Sequence, residues 1–295
     1  MQKRVILVWQ EKIEIEPPYD FDRVLERFSM DPLNVIDSEK RLVKVPLYIN
    51  KEPVVTEIQS IGTKDRPSFL ITGNNDEVKD EIIERLATIF QWNVPLQQIQ
   101  HHFANTNIES IFEAHEGTPL MLDNDPYSCL MKCIIHQQLN MAFAITLTER
   151  FVKTFGREVD GVWFYPLPEE VAKLSYDELK ALQFSGRKAE YVIDTSKLLA
   201  DGTLDVQQLT QMSDEEITKT LVKIRGIGPW TAQNFLLFGL GRQNLFPKAD
   251  IGIQNAIKKL FGLEQKPTSE QMDEFSKSWS PYLSYATLYL WRSIE

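Results

Sequence analysis

Cysteine is scarce in this 295-residue sequence, which has only Cys129 and Cys133. Two thiols cannot supply a four-thiolate iron–sulfur or zinc centre, and they do not suggest a disulfide framework. Their four-residue spacing puts both on one face of a helix. Excess positive charge is also missing. Against 42 Asp and Glu stand 32 Lys and Arg, a formal net charge of -10. That excludes a highly basic, histone-like binder of nucleic acid, though not a local basic surface. No apolar run approaches the roughly 18 residues a membrane span needs. The short run at residues 5–9 follows Lys3 and Arg4 but is closed by Glu11, too soon for a signal-peptide core. Internal repeats and low-complexity segments are absent as well. These absences predict a soluble, reduced, cytoplasmic protein with no membrane partner. What remains is ordinary globular composition, 43% hydrophobic and 25% charged, at a length that suits two domains.

The first hundred residues read as strands. RVILVW (4–9), KIEIE (12–16), LVKVPLYIN (42–50), PVVTEIQSIG (53–62) and SFLITG (68–73) are rich in Val, Ile and aromatics, and several alternate. Helical patterns interrupt at 20–28 and 76–90, the second with Val78, Ile82, Leu86 and Ile89 on one stripe. From about residue 105 the pattern turns to successive helices. A long apolar stripe runs through 125–155, and capping boxes pair Ser175 with Glu178, Ser213 with Glu216, and Thr268 with Gln271. The predicted architecture is an α+β N-terminal domain (1–104), an antiparallel sheet with covering helices, followed by an all-α domain (105–295).

Residues 214–261 carry the strongest functional signal. DEEITKTLVKI (214–224) predicts a helix, RGIG (225–228) breaks it, and Pro229 opens a second helix, PWTAQNFLLFGL. The glycines permit unusual dihedrals and leave backbone amides exposed at a helix N-terminus, where a phosphate oxygen can be held without base specificity. A plain helix C-cap is the structural alternative. Across 219–260 seven cations (Lys219, Lys223, Arg225, Arg242, Lys248, Lys258, Lys259) face one acid, Asp250. A polyanion would dock on such a local reversal. Asp250 precedes a helix, so it reads either as an N-cap or as a carboxylate placed in a cationic, DNA-facing site.

The stretch IRGIGPWTAQNFLLFGLGRQNLFPKADIGIQ resembles the helix-hairpin-helix, Gly/Pro-rich loop and aspartate signature of the helix-hairpin-helix DNA glycosylase superfamily, in particular the bacterial 3-methyladenine DNA glycosylase II branch. KCIIHQQLNMAFAITLTER (132–150), SWSPYLSYATLYLWRS (278–293) and PPYD (17–20) extend the similarity in both directions. The resemblance implies a helix-hairpin-helix at 214–240 in a glycosylase domain. It implies a hydrolase that flips a nucleotide out of damaged duplex DNA and cleaves its glycosidic bond, with alkylated purines of the 3-methyladenine and 7-methylguanine type as substrates.

By the same resemblance Asp250 is the catalytic carboxylate, stabilising an oxocarbenium-like sugar or orienting water. Trp230 holds the position at which relatives that also cut the backbone carry a lysine, so a monofunctional, water-using enzyme is implied. Trp230 and Trp291 match pocket aromatics. Asn234 and Ile251 stand where the branch often has tyrosines, which makes the pocket less aromatic. Gly226, Gly228 and Thr231 match phosphate-binding positions, and the wedge that fills the vacated space falls on Leu120, Met121 and Leu122, with Gln137 and Gln138 behind it. His136 reads as a core or surface histidine rather than a catalyst. Carbonyls of Val222, Ile224 and Ile227 match a hairpin site for a monovalent cation, Na or K. No other cofactor is required and no iron–sulfur cluster is expected. The implied partner is double-stranded DNA containing damaged bases, met by a monomer in the nucleoid. Two rivals remain. DPYSCL (125–130) is similar to the oxidised-guanine branch, pointing to an oxidised or deaminated base, and the hairpin could serve a non-catalytic DNA-binding module.

Overall fold

The computed structural model describes residues 9–294. Five strands open the fold: β1 (Trp9–Glu14), β2 (Val35–Asp37), β3 (Leu42–Ile49), β4 (Glu52–Ser60) and β5 (Ser68–Gly73), with α1 (Phe21–Ser29) between the first two. They form one antiparallel sheet in the order β1-β5-β4-β3-β2. The predicted strand at 4–9 lies outside the described residues except for Trp9. Alternation in β3 turns Val43, Val45, Leu47 and Ile49 inward, and the register sets Val43 against Ile58 and Leu47 against Val54. That face is covered by α1 and α2 (Lys79–Ile89), whose Phe28 and neighbouring Phe90 stack at 5.8 Å, while Phe69 of β5 stacks on Trp92.

Helices then follow almost without interruption: α3 (Leu96–Phe103), α4 (Glu109–Ala114), α5 (Pro126–His136) and α6 (Met141–Phe155), then a small hairpin of β6 (Arg157–Val159) and β7 (Val162–Phe164). Next come α7 (Pro168–Val171), α8 (Tyr176–Ala181), α9 (Gly186–Ala200), α10 (Val206–Thr210), α11 (Asp214–Leu221) and α12 (Pro229–Asn234). A π-helical turn, Phe235–Gly239, leads on to α13 (Ile251–Leu260), α14 (Ser269–Ser276) and α15 (Leu283–Arg292). All three expected capping boxes form, at the starts of α8, α11 and α14. Cys129 and Cys133 are buried, unbonded thiols on α5, and burial pushes the Cys129 thiol well above its ordinary range. Among the described residues no helix is long and apolar enough to cross a membrane.

Two hydrophobic cores result. The first gathers the sheet, α1 to α4 and the end of the chain, including Ile253, Trp279, Tyr285 and Leu290. The second is formed by α5 to α12 and the start of the π turn, and among the described residues its buried members include one from earlier in the chain, Leu33. A division after residue 104 therefore runs through the first core, because α13 to α15 return to join the core that the sheet and α1 to α4 begin. Arg292, itself 9% exposed, fixes that return by donating to Glu26 of α1 at 2.7 Å.

Candidate active site

The hairpin forms as its sequence predicts. Ser213 and Glu216 exchange bonds to start α11, and Pro229 starts α12. Between them Gly226 has φ 96°, and a Cβ there would lie 2.2 Å from the Tyr191 ring. Only glycine fits. Gly228 differs: its backbone is extended and a Cβ would meet nothing within 4 Å. The predicted second helix is shorter than its sequence pattern, passing into the π turn at Phe235.

Gln137 holds the hairpin to the end of α5. Its Nε2 donates to the Gly226 carbonyl (2.8 Å) and to Thr231 Oγ1 (2.7 Å). Both of its amide protons are thus used, so it is a strap rather than a residue free to fill a vacated base position. Thr231 is 1% exposed and its hydroxyl accepts from Gln137, so its side chain is not open to a phosphate. Behind the strap, Lys188 Nζ donates to the carbonyls of Ile134, Ile135 and Gln137, closing the end of α5 with a cation where the helix dipole favours one. Gln138 sits exposed on the resulting turn at φ 56°.

The wedge expectation fails on burial. Leu120, Met121 and Leu122 are 0%, 3% and 8% exposed, and Leu122 N–H donates to the Ile89 carbonyl at 3.0 Å. Three apolar residues in a loop were core, as loop residues over a sheet often are. Exposed apolar side chains do occur nearby, on other elements: Met141 (60%), Trp230 (41%) and Ile251 (63%).

The cationic window is also weaker than its sequence. Lys219 pairs with Glu215, Arg225 with Glu190, Arg242 with Asp214 and Lys248 with Asp273. Four of the seven positive charges are thus matched by acids lying outside the window, so the net charge of the segment overstates that of the surface.

Asp250 is the N-cap of α13 and more than that. Its Oδ1 accepts both from Ile253 N–H (3.0 Å) and from Trp291 Nε1 (2.9 Å). Among the described residues its Oδ2 has no hydrogen-bond partner. The loop before it is pinned by α15, where Ser284 donates to the Arg242 carbonyl (2.6 Å) and accepts from Leu245 N–H (3.0 Å). A carboxylate fixed through one oxygen and open at the other is ready to act on a nearby positive centre or water. Trp291 serves this arrangement from behind. It packs on Phe238 (ring centroids 6.1 Å apart) and lines neither cavity described next.

Trp230 stands between two cavities. One, about 690 Å³ and open, lies along the hairpin and is lined by Gln138, Gly228 and Ile251. The other, about 260 Å³, is bounded by Arg27 of α1, Asp123, Lys132 of α5, Asn234 and Phe238. At that volume it suits one planar group rather than an extended ligand. Burial alone would raise the Asp123 carboxyl, but the Lys132 ammonium 2.7 Å away overrides it and holds the group below its ordinary value. His136, also at this wall, contacts Thr148 at 3.0 Å, and burial with Lys132 nearby pushes it down to about 4. It is neutral at pH 7, in keeping with a structural histidine. Asp123 and Lys132 carried no sequence signal beyond a lone charge in the apolar run LMKCII.

Comparison with known proteins supplies context for this geometry. Residues 131–281 match the model of the HhH-GPD superfamily base excision DNA repair proteins. The chain is 56% identical, over 98% of its length and 100% of the relative's, to a Bacillus subtilis protein provisionally named DNA-3-methyladenine glycosylase YfjP. It is 26% identical to DNA-3-methyladenine glycosylase 2 of Escherichia coli, over 94% of each chain. Among solved structures, 3-methyladenine DNA-glycosylase from Archaeoglobus fulgidus superposes with a TM-score of 0.83 at 21% identity, covering 95% of this chain and 97% of that one.

Proposed function

Because the chain belongs to the HhH-GPD superfamily of base excision DNA repair proteins, we propose that it is a monofunctional DNA glycosylase that removes alkylated purines from duplex DNA. The observation that carries this reading is Asp250, held through Oδ1 by Ile253 and Trp291 with Oδ2 open. The names of its relatives support the substrate class.

In this reading the target nucleotide leaves the stack, since the bond to be cut is out of reach within the duplex. The base enters beside Trp230, whose half-exposed ring offers a stacking face. Asp250 Oδ2 then faces the sugar. Positive charge developing there as the glycosidic bond breaks is stabilised by the carboxylate, which can also orient the attacking water. With tryptophan at position 230 no amine is available there for a Schiff base, so the backbone stays intact. Amides of Gly226, Gly228 and Thr231 would hold a phosphate. The carbonyls of Val222 and Ile227 accept no hydrogen bond among the described residues, and that of Ile224 accepts only Ile227 N–H. These three fit a monovalent cation, which would draw the phosphate toward the hairpin.

The test is release of free base from methylated duplex DNA, wild type beside Asp250→Asn. Asparagine is also a good N-cap, so the fold should survive. We expect the variant to lose roughly 10²–10⁴ in rate, with strands uncut until alkali is added. A duplex-binding module without catalysis would release nothing and bind equally well as the variant.

A further inference from the structure

The smaller cavity holds a guanidinium whose hydrogen-bond donors the fold leaves unused. Arg27, in the last turn of α1, lays its guanidinium over the Phe238 ring at 4.6 Å from the centroid. Among the described residues it has no hydrogen-bond acceptor and no ion-pair partner. It is partly buried, and it shares the cavity with Asp123, whose charge it helps to hold and whose Oδ1 is paired with Lys132. A half-buried guanidinium beside an ammonium, with its donors unused, is costly unless something else supplies acceptors. The guanidinium fork suits a flat group bearing a carbonyl oxygen.

Acceptors on the same wall complement it. Asp123 offers a carboxylate of which Lys132 engages only Oδ1. Asn234 donates through Nδ2 to the Trp230 carbonyl at 2.9 Å, leaving its Oδ1 without a partner among the described residues. The cavity thus presents donors from Arg27 and acceptors from Asp123 and Asn234 around the face of Trp230. A 6-oxopurine carries the opposite pattern, a carbonyl next to an N–H. A 6-aminopurine turns an amino donor toward the same position, against a guanidinium that can only donate.

We infer that Arg27 is a specificity-determining residue of this site: with Asp123 it reads the carbonyl and adjoining N–H of a 6-oxopurine, so that guanine-type bases and hypoxanthine are taken in preference to 3-alkyladenine. This rests on the glycosylase reading above and narrows its substrate class. A 7-alkylguanine keeps both recognised groups, whereas 3-methyladenine has neither in that arrangement. Discrimination of roughly 10- to 100-fold is the scale for one good guanidinium–base pair.

Two measurements test it, on the full chain. The first is affinity for duplexes whose target nucleotide resists release, bearing either hypoxanthine on a 2′-fluorinated sugar or 3-deaza-3-methyladenine. Wild type should favour the first at least tenfold, and Arg27→Met, which keeps the stem and loses the fork, should bring the ratio close to one. Arg27→Lys, which keeps the charge, should do the same if planar recognition is the cause; should Arg27→Met fail to fold, it carries the test alone. The second is the ratio of 7-methylguanine to 3-methyladenine released from dimethyl-sulfate-treated DNA, which should fall about tenfold in either variant. If both affinities drop together and the ratios hold, Arg27 serves a phosphate or the fold, and the inference is overturned. If wild type releases no base while the binding preference and its dependence on Arg27 persist, the glycosylase reading fails and the recognition stands. Release of alkylated bases in an Arg27-independent ratio would do the reverse.

Discussion

The hairpin at 226–231 and the cavity beneath Arg27 share Trp230, yet the first is assembled from neighbours in sequence and the second from residues as distant as Arg27 and Phe238. The hairpin's parts are backbone: glycine dihedrals, first-turn amides and carbonyls, with Gln137 holding the frame. Such groups grip any nucleotide alike. The cavity's parts are side chains with direction and charge, which in the proposed reading tell one base from another. General attachment can therefore be written in a short motif. Selectivity needs the tertiary fold to bring α1, α5 and the π turn together.

That contrast can be broken or sharpened by experiment. The largest effect should come from separating the two hairpin glycines. Gly226→Ala forces a side chain into the Tyr191 ring at a positive φ and should cost about 3 kcal/mol or more in unfolding free energy. Gly228→Ala, with an extended backbone and open space, should leave stability within about 1 kcal/mol. Equal losses in a denaturant titration would show that the turn is not held by the Tyr191 contact.

A second test addresses the cavity side. His136 is held down to about 4 in the folded protein, below its ordinary value near 6.5. Between these values the unfolded chain binds more protons than the folded one, so stability should fall as pH drops from 6.5 toward 4 and level off below. We expect a loss of roughly 1–3 kcal/mol attributable to this residue. His136→Gln should flatten that part of the pH profile, and an unchanged slope would assign the acid sensitivity elsewhere.

The smallest effect should appear in salt dependence. Lys223 is exposed and has no ion-pair partner among the described residues, whereas Lys219 is paired with Glu215. Lys223→Ala should reduce the slope of log affinity against log salt by about 1, and Lys219→Ala by less. Equal changes would mean that the pair opens when DNA arrives.

Much of the fold is legible in the sequence. The alternation in 42–50 and 53–62 becomes β3 and β4 almost residue for residue, and each capping box starts a helix. Asp250 is legible through its motif, although its bond to Trp291 forms across 41 residues of chain and leaves no local mark. Elsewhere local signals mislead for identifiable reasons. The apolar stripe through 125–155 conceals a break between α5 and α6, since the turn uses Gln138 rather than glycine at positive φ. Charge counted along 219–260 ignores partners such as Glu190 and Asp273, which only folding brings near. Leu120 to Leu122 look like a surface wedge until Ile89 and the first core claim them. Arg27, on an ordinary amphipathic helix, becomes distinctive only once α5 and the π turn arrive opposite it.

The return of α13 to α15 to the first core has a consequence for synthesis. The second core lies almost wholly within residues 127–236 and can condense as soon as that stretch has left the ribosome. The first waits for residues 237–290, and the Arg292–Glu26 bond that seals it joins positions 266 residues apart. So the sheet, although translated first, is among the last parts to be completed. The loop carrying Asp250 is not held until α15 docks, and a partly made chain lacks the Trp291 bond that fixes this carboxylate.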